Sequence, residues 1–206
     1  MLADDVLAFV SGALQAPPAR VLEVGAGGGE LAAALVERGY EVVAIDPASE
    51  GPPVLPVPLH ELDEPAASFD AAVAVVSLHH VEPLDESCRW LGELVRPAGT
   101  LVVDEFDVER YDERAARWWL QQRSATRHEH EREPGEMVAE LRAHLHPLDR
   151  MSAALAPWFA LEQPVRGPYL HRWELPPGLR GAEERLIAAG ELPATGVRIV
   201  GRRPAG

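Results

Sequence analysis

Two adjacent histidines are the side chains best suited to acid–base chemistry in this 206-residue sequence. His79 and His80 lie near the end of the apolar run Phe69–Val81, and Asp104 lies in a second apolar run, Thr100–Phe106. An imidazole changes charge near neutral pH, so a histidine can take a proton from a hydroxyl or amine nucleophile. Reacting groups converge where adjacent parallel strands end. The sequence therefore indicates either a base at this place or two histidines that only shape the wall of a pocket.

A second chemistry-bearing stretch is the glycine-rich segment "EVGAGGG", Glu23–Gly29. Glycines let the backbone approach a ligand closely, at a cost in conformational entropy. The dinucleotide fingerprint G-x-G-x-x-G, started at Gly25, requires a glycine where the sequence has Glu30. A glutamate in the first turn of a helix also repels a phosphate that would otherwise bind there. The segment favours a cofactor without a phosphate over a dinucleotide, and its other interpretation is a tight turn from strand to helix.

Strands and helices alternate around these two stretches. Continuous apolar strands are typical of a parallel sheet that is buried on both faces, and the alternation predicts an α/β doubly wound fold. The predicted strands are Arg20–Val24, Glu41–Ile45, Val54–Leu59, Phe69–Val81, Thr100–Phe106, one of Leu161–Val165 and Tyr169–Leu175, and Val197–Gly201. The predicted helices are Asp5–Leu14, Glu30–Arg38, Asp85–Val95, Asp112–Arg127, Pro134–Leu145, Met151–Ala156 and Ala182–Ala189.

The order of these features resembles that of class I S-adenosylmethionine-dependent methyltransferases. Glu23–Gly29 is similar to the acidic-x-G-x-G-x-G first motif of that family. Asp46, at the end of the second predicted strand, resembles the family's ribose-binding acid, whose carboxylate can accept both hydroxyl protons. The run at 68–81 resembles its fourth strand, and the run at 94–106 resembles the helix, turn and fifth strand that follow. The resemblance covers residues 20–106 and implies a mostly parallel, seven-stranded Rossmann-like sheet with an antiparallel seventh strand, for which Val197–Gly201 is the candidate.

The resemblance also implies the cofactor S-adenosyl-L-methionine and a small-molecule acceptor with a nucleophilic O, N or C atom. Two other functions remain as alternatives to a methyltransferase. The first is a protein that binds the cofactor without methylating anything, and the second, less favoured, is a dinucleotide-dependent oxidoreductase. The residues implied to contact the cofactor are Glu23, Gly25, Ala26, Gly27, Gly29, Asp46, Pro47, His60 and Ser77.

The sequence departs from the family at the adenine contact. The family often has an aspartate after its third strand, where this chain has Pro58, Leu59 and His60. His60, a backbone group or Asp63 would have to take that place.

The same resemblance bears on the two histidines. Some small-molecule O-methyltransferases share this histidine pair. In those enzymes the proposed base is a histidine together with an acid that follows the fifth strand. Asp104 holds a comparable place here, and Glu105 is next to it. His79, His80 and Asp104 are therefore the candidate catalytic residues. Methyl transfer depends largely on in-line positioning, so the histidines can also be pocket walls.

The chain is interpreted as a single methyltransferase domain over residues 1–206, with a helical acceptor-binding or lid region at about 107–158. Trp118 and Trp119 are adjacent in that region, so a helix cannot bury both on one face. One should pack in the core, and the other should line a pocket or an interface. Trp158, Tyr169 and Trp173 are further candidates for the acceptor pocket, and core packing is the alternative for each of them.

The composition of the chain argues against nucleic acid as a binding partner. A net charge of −14 disfavours binding to nucleic acid backbones. The single cysteine, Cys88, allows no internal disulfide, which fits a reducing compartment. No apolar run in the sequence is long enough to cross a bilayer. His128 and His130 lie on a charged link, Arg127–Glu133, which predicts a solvated connector and no metal site. We expect a cytoplasmic enzyme, with a homodimer left open.

Overall fold

The computed structural model describes residues 3–124 and 132–205. The predicted connector that carries His128 and His130 lies largely outside these residues. The fold is built on one seven-stranded sheet with helices packed against it.

The strand order in the sheet is β2-β1-β3-β4-β7-β5, with β6 beside β7. The strands β1 to β4 pair in parallel, whereas β5 and β6 pair antiparallel with β7. This confirms the predicted doubly wound α/β sheet with an antiparallel seventh strand. The strands are β1 (Arg20–Val24), β2 (Glu41–Ile45), β3 (Phe69–Val75), β4 (Val95–Phe106), β5 (Ala160–Leu161), β6 (Val165–Gly167) and β7 (Gly196–Arg202).

The helices follow the predicted pattern, and their ends agree with the predicted ones or differ by up to three residues. The predicted end of the helix from Asp112, Arg127, lies outside the described residues. They are α1 (Asp4–Ala13), α2 (Glu30–Val36), α3 (Leu84–Leu94), α4 (Glu113–Ser124), α5 (Pro134–His144), α6 (Leu148–Leu155) and α7 (Arg180–Ala188). Short 3-10 turns lie at Leu59–Glu61, Leu78–His80, Val108–Arg110 and Leu170–Arg172.

The predicted strand Val54–Leu59 is wrong. Leu55 makes one isolated parallel bridge with Ile45, at the end of β2, and the ladder stops there. Pro56 and Pro58 have no N–H to donate, so this segment cannot continue as a strand inside the sheet.

The predicted strand Phe69–Val81 is too long. The strand β3 ends at Val75, and Val76 then takes a left-handed backbone conformation with φ 53°. Such a φ is rare for a β-branched residue. The chain turns away there, so His79 and His80 lie on a 3-10 turn and not on a strand.

The chain divides into two compact units. The first contains the described residues up to Glu105, Asp149–Gln163 and those from Ile199 onward, and the second contains those of Phe106–Leu148 and Pro164–Arg198. In the first unit, α1 and α2 pack apolar side chains on the sheet. This core includes Val6, Val10, Leu14, Val21, Leu31, Leu35, Val73 and Val102.

The second unit has an aromatic core. Trp119 is buried, donates its ring N–H to the carbonyl of Trp173 at 2.8 Å and lies against the Trp173 ring. Phe106 contacts the rings of both Tyr111 and Tyr169. Trp118 is half-buried and lines a small surface pocket. The expectation that one of the two adjacent tryptophans packs and the other lines a pocket is confirmed.

Candidate active site

A cavity of about 530 Å³ lies where β1, β2 and β3 end in the first unit. This is the edge of an open α/β sheet at which ligands bind, and the volume suits a small-molecule ligand. Its walls are mostly apolar. Five of the predicted site residues line it, and they are Gly25, Asp46, Pro47, Ser77 and His80.

Gly25 follows β1 and packs against Ser77, which follows β3. A Cβ atom at residue 25 would lie 2.3 Å from the Ser77 Cβ, which leaves no room for any side chain. The Ser77 hydroxyl donates to the carbonyl of Val24 at 2.7 Å. The two strand ends are thereby held together at the floor of the cavity.

Gly27 is an exposed residue of the glycine loop. Its backbone has φ 53°, and a Cβ there would meet no atom within 4 Å. Neither packing nor burial therefore requires a glycine at this position. A left-handed backbone with open space beside it fits a loop that a ligand approaches closely. Of the neighbouring predicted contacts, Ala26 is buried and Gly29 is buried directly before α2.

The Asp46 carboxylate connects the glycine loop with the end of β2. One of its oxygens accepts from the Gly27 N–H at 2.8 Å, and the other accepts from the Ala48 N–H at 2.9 Å. Each carboxylate oxygen has a second lone pair available for a hydroxyl. The side chain is half-buried at the cavity, so its geometry fits the predicted ribose contact.

Glu23 is buried within β1 and is 3% exposed. Burial raises the pKa of its carboxyl to about 8, although a hydrogen bond from the Ala32 amide acts in the opposite direction. Its Oε2 atom is buried and has no hydrogen-bond partner. Glu23 thus supports the first turn of α2 and keeps one polar atom unsatisfied next to the glycine loop in the chain.

The two histidines have different environments. His79 is buried, and its Nδ1 lies 2.5 Å from the Glu105 Oε2. His80 is exposed and lines the cavity, and the two ring centroids are 4.3 Å apart. The turn therefore presents His80 to a ligand and keeps His79 inside.

Glu105, which is next to the predicted Asp104, contacts His79. Asp104 is buried in β4 opposite Val75. Because side chains alternate across a strand, only one of two adjacent acids can point to a given face. The sequence shows both acids, but the register that decides between them depends on the pairing of β3 with β4.

The predicted adenine contact is less well placed than the ribose contact. Pro58 and Leu59 line the cavity, and His60 is the next residue along the chain. His60 is half-buried, with its Nε2 3.6 Å from the Glu61 carboxylate and its Nδ1 buried without a partner. Asp63 is exposed. The contact from His60 stays a prediction.

Among residues 3–124 and 132–205, no group of three or more His, Cys, Asp or Glu side chains is arranged to hold a metal ion. No helix in that part of the chain is both long and apolar enough to cross a membrane.

The fold and the cavity define a Rossmann-like protein with a small-ligand site at the carboxyl end of its sheet. A family model described as a methyltransferase domain matches residues 2–143. The chain therefore belongs to the methyltransferase-domain family, and the predicted resemblance to class I S-adenosylmethionine-dependent methyltransferases is confirmed.

One similar curated protein is the ubiquinone biosynthesis O-methyltransferase of Xanthomonas axonopodis pv. citri. It is 35% identical over a match that covers 47% of this chain and 47% of the relative. The chain spans about half the length of the curated relatives that it matches first.

Solved structures share the fold over nearly the whole chain. An S-adenosylmethionine-dependent methyltransferase from Mesorhizobium loti has a TM-score of 0.65 and 18% identity, and the match covers 98% of both chains. The 1,6-didemethyltoxoflavin-N1-methyltransferase of Burkholderia thailandensis, solved with 1,6-didemethyltoxoflavin and S-adenosylhomocysteine, has a TM-score of 0.56 and 19% identity. That match covers 97% of this chain and 76% of the other.

Proposed function

We propose that this protein transfers a methyl group from S-adenosyl-L-methionine to an O, N or C atom of a small molecule. The observation that carries the proposal is the cavity at the ends of β1 to β3, with the Asp46 carboxylate at its side and open space over Gly27. Membership of the methyltransferase-domain family supports it.

The cofactor would lie against the glycine loop, with its ribose hydroxyls on Asp46. The hydrophobic walls from Val57 to Leu59 would cover its apolar surface. When bound, S-adenosyl-L-methionine supplies a methyl group on a positively charged sulfur, and the sulfur keeps the electron pair of the broken bond. The protein's own contribution is to hold the acceptor in line and to receive its proton.

His80 is the residue of the pair that takes this proton. It lines the cavity, whereas His79 is buried against Glu105. An imidazole near neutral pH can accept a proton from a hydroxyl or an amine as the acceptor is methylated.

A small metabolite is the acceptor class that fits the charge of the chain. At a net charge of −14, a nucleic acid backbone would be repelled. The names of the similar O- and N-methyltransferases support small molecules as well. We also propose that residues 107–158 contribute to acceptor binding and that the enzyme is cytoplasmic. Light scattering would measure its oligomeric state.

Calorimetric titration with S-adenosylhomocysteine and with NADH tests the cofactor. We expect binding of S-adenosylhomocysteine only, and weaker binding to Asp46→Ala. Tighter binding of NADH would instead indicate a dinucleotide-dependent oxidoreductase. Turnover of labelled S-adenosyl-L-methionine with a panel of phenols, amines and carbon acids then separates an enzyme from a protein that only binds the cofactor.

A further inference from the structure

Glu105 is a buried carboxylate that contacts three consecutive residues of one turn. Its Oε1 accepts from the Ser77 N–H at 2.8 Å and from the Leu78 N–H at 2.6 Å, and its Oε2 lies 2.5 Å from the His79 Nδ1. The residue is 0% exposed. A buried carboxylate requires such donors, so these contacts tie the turn to the end of β4.

The turn that Glu105 holds forms one wall of the cavity. Val76, Ser77 and His80 all line it. The left-handed backbone of Val76 is unfavourable by itself and persists only where surrounding contacts over-determine it. The hydrogen bonds of Glu105 to the next two amides are contacts of this kind.

We propose that Glu105 is a positioning residue that fixes the proton of His79 on Nδ1 and holds Ser77 and His80 at the cavity. A neutral imidazole has one N–H, so donation to the Glu105 carboxylate leaves the His79 Nε2 as an acceptor. The close packing of the two rings then makes the orientation of His80 depend on that of His79. The proposal rests on the proposed function, since it assumes that the cavity is the reaction site.

Glu105→Gln tests the proposal because a glutamine cannot satisfy all three donors. Its carbonyl oxygen can keep the amides of Ser77 and Leu78, and its NH₂ group must then face the His79 Nδ1. That arrangement forces the His79 proton onto Nε2. The turn stays in place, but the imidazole presents a donor where the wild type presents an acceptor.

The measurement is long-range ¹H–¹⁵N NMR of the histidine rings in the full chain with S-adenosylhomocysteine, assigned with His79→Gln. In the wild type, the Nδ1 of His79 should show the ¹⁵N shift of a protonated ring nitrogen. In Glu105→Gln, the protonated and unprotonated shifts should exchange between Nδ1 and Nε2. Glu183→Gln is the matched control, since Glu183 contacts His171 in the same manner and should leave His79 unchanged.

A wild-type His79 protonated on Nε2 overturns the proposal even if the variant fails to fold. An unchanged tautomer in Glu105→Gln overturns it as well. We expect the dissociation constant of S-adenosylhomocysteine to stay within about threefold, and methyl transfer to fall roughly 10- to 100-fold. Absence of S-adenosylhomocysteine binding by the wild type would contradict the proposed function and leave the tautomer measurement valid.

Discussion

Two turns of the same construction occur in this protein, one in each unit. Both are 3-10 turns, one with the sequence Ser77-Leu78-His79-His80 and the other with the sequence Tyr169-Leu170-His171-Arg172. The first residue has nearly the same backbone angles in each turn: φ −135° and ψ −37° at Ser77, and φ −142° and ψ −38° at Tyr169. A buried glutamate holds each turn by its backbone amides and by the Nδ1 of its histidine. The glutamates are Glu105 and Glu183.

The surroundings of the two turns differ. The first turn lines the cavity with Ser77 and His80. In the second turn, the Tyr169 ring packs on Phe106 within the aromatic core, and the Arg172 guanidinium lies over the Tyr169 ring. A glutamate-anchored turn is thus a stable local structure, and the cavity beside one of them is what indicates chemistry.

The largest expected effect is on the rate of methyl transfer, and it distinguishes His80 from Arg172, the last residues of the two turns. His80→Ala should reduce the rate of methyl transfer by roughly 10²- to 10⁴-fold, because a general base contributes about this much. Arg172→Ala should leave the rate within about threefold, which single-turnover assays at several pH values would measure. Equal rates for His80→Ala and the wild type would leave His80 as a pocket wall.

The glycine loop offers the next comparison. Gly27→Val should weaken binding of S-adenosylhomocysteine by about 100-fold or more, because the side chain would occupy space that the ligand needs. Gly190→Val is the matched control, with a left-handed backbone at φ 73° and no atom within 4 Å of its Cβ. Both variants should lose similar stability. A normal dissociation constant for Gly27→Val would remove the loop from the site.

The anchor of the second turn should act on stability. Burial tends to raise the pKa of the Glu183 carboxyl, but hydrogen bonds from His171, Tyr169 and Leu170 outweigh it and lower the pKa. Glu183→Gln should therefore destabilise the protein by about 1–3 kcal/mol at pH 7 in urea unfolding. The stabilisation by Glu183 is present above the pKa of an unfolded glutamate and is lost as the pH falls through the lowered value.

Glu184→Gln is the control for that variant, because Glu184 is an exposed neighbour on α7. It should change the free energy of unfolding by less than about 0.5 kcal/mol. A difference between Glu183→Gln and the wild type that persists at low pH would contradict the assigned cause.

The smallest effect concerns Glu23, a buried carboxylate of the first unit with the opposite shift. Burial raises its pKa to about 8, so its contribution to stability is present below the pKa of an unfolded glutamate and lost as the pH rises to about 8. Between pH 7 and 9 the wild type should lose about 1 kcal/mol more than Glu23→Gln in urea unfolding. Parallel pH profiles for the two proteins would show that Glu23 is already ionised at pH 7.

The parts of the fold that sequence predicted are those decided locally. The strands Arg20–Val24 and Glu41–Ile45, and the start of the helix at Glu30 directly after the glycine segment, were predicted correctly because apolar runs and helix signals act over a few residues. The strand predicted over Val54–Leu59 does not form, because the prolines next to Leu55 end its pairing with β2 after one bridge.

The site required information from distant residues. The end of β3 at Val75 accompanies hydrogen bonds from Ser77 and Leu78 to Glu105, which lies more than 25 residues further along the chain. The contact of Glu105 with the turn depends on the pairing of β3 with β4, and a single sequence does not give that register.

The hydrogen bonds of Asp46 have a kinetic consequence for ligand capture. This carboxylate is oriented by hydrogen bonds from the amides of Gly27 and Ala48. A ribose would meet a preorganised acceptor, and little conformational entropy would be lost when the complex forms. Association with a nucleoside should then proceed in one step, with a rate that is linear in ligand concentration and does not saturate at a loop-ordering step.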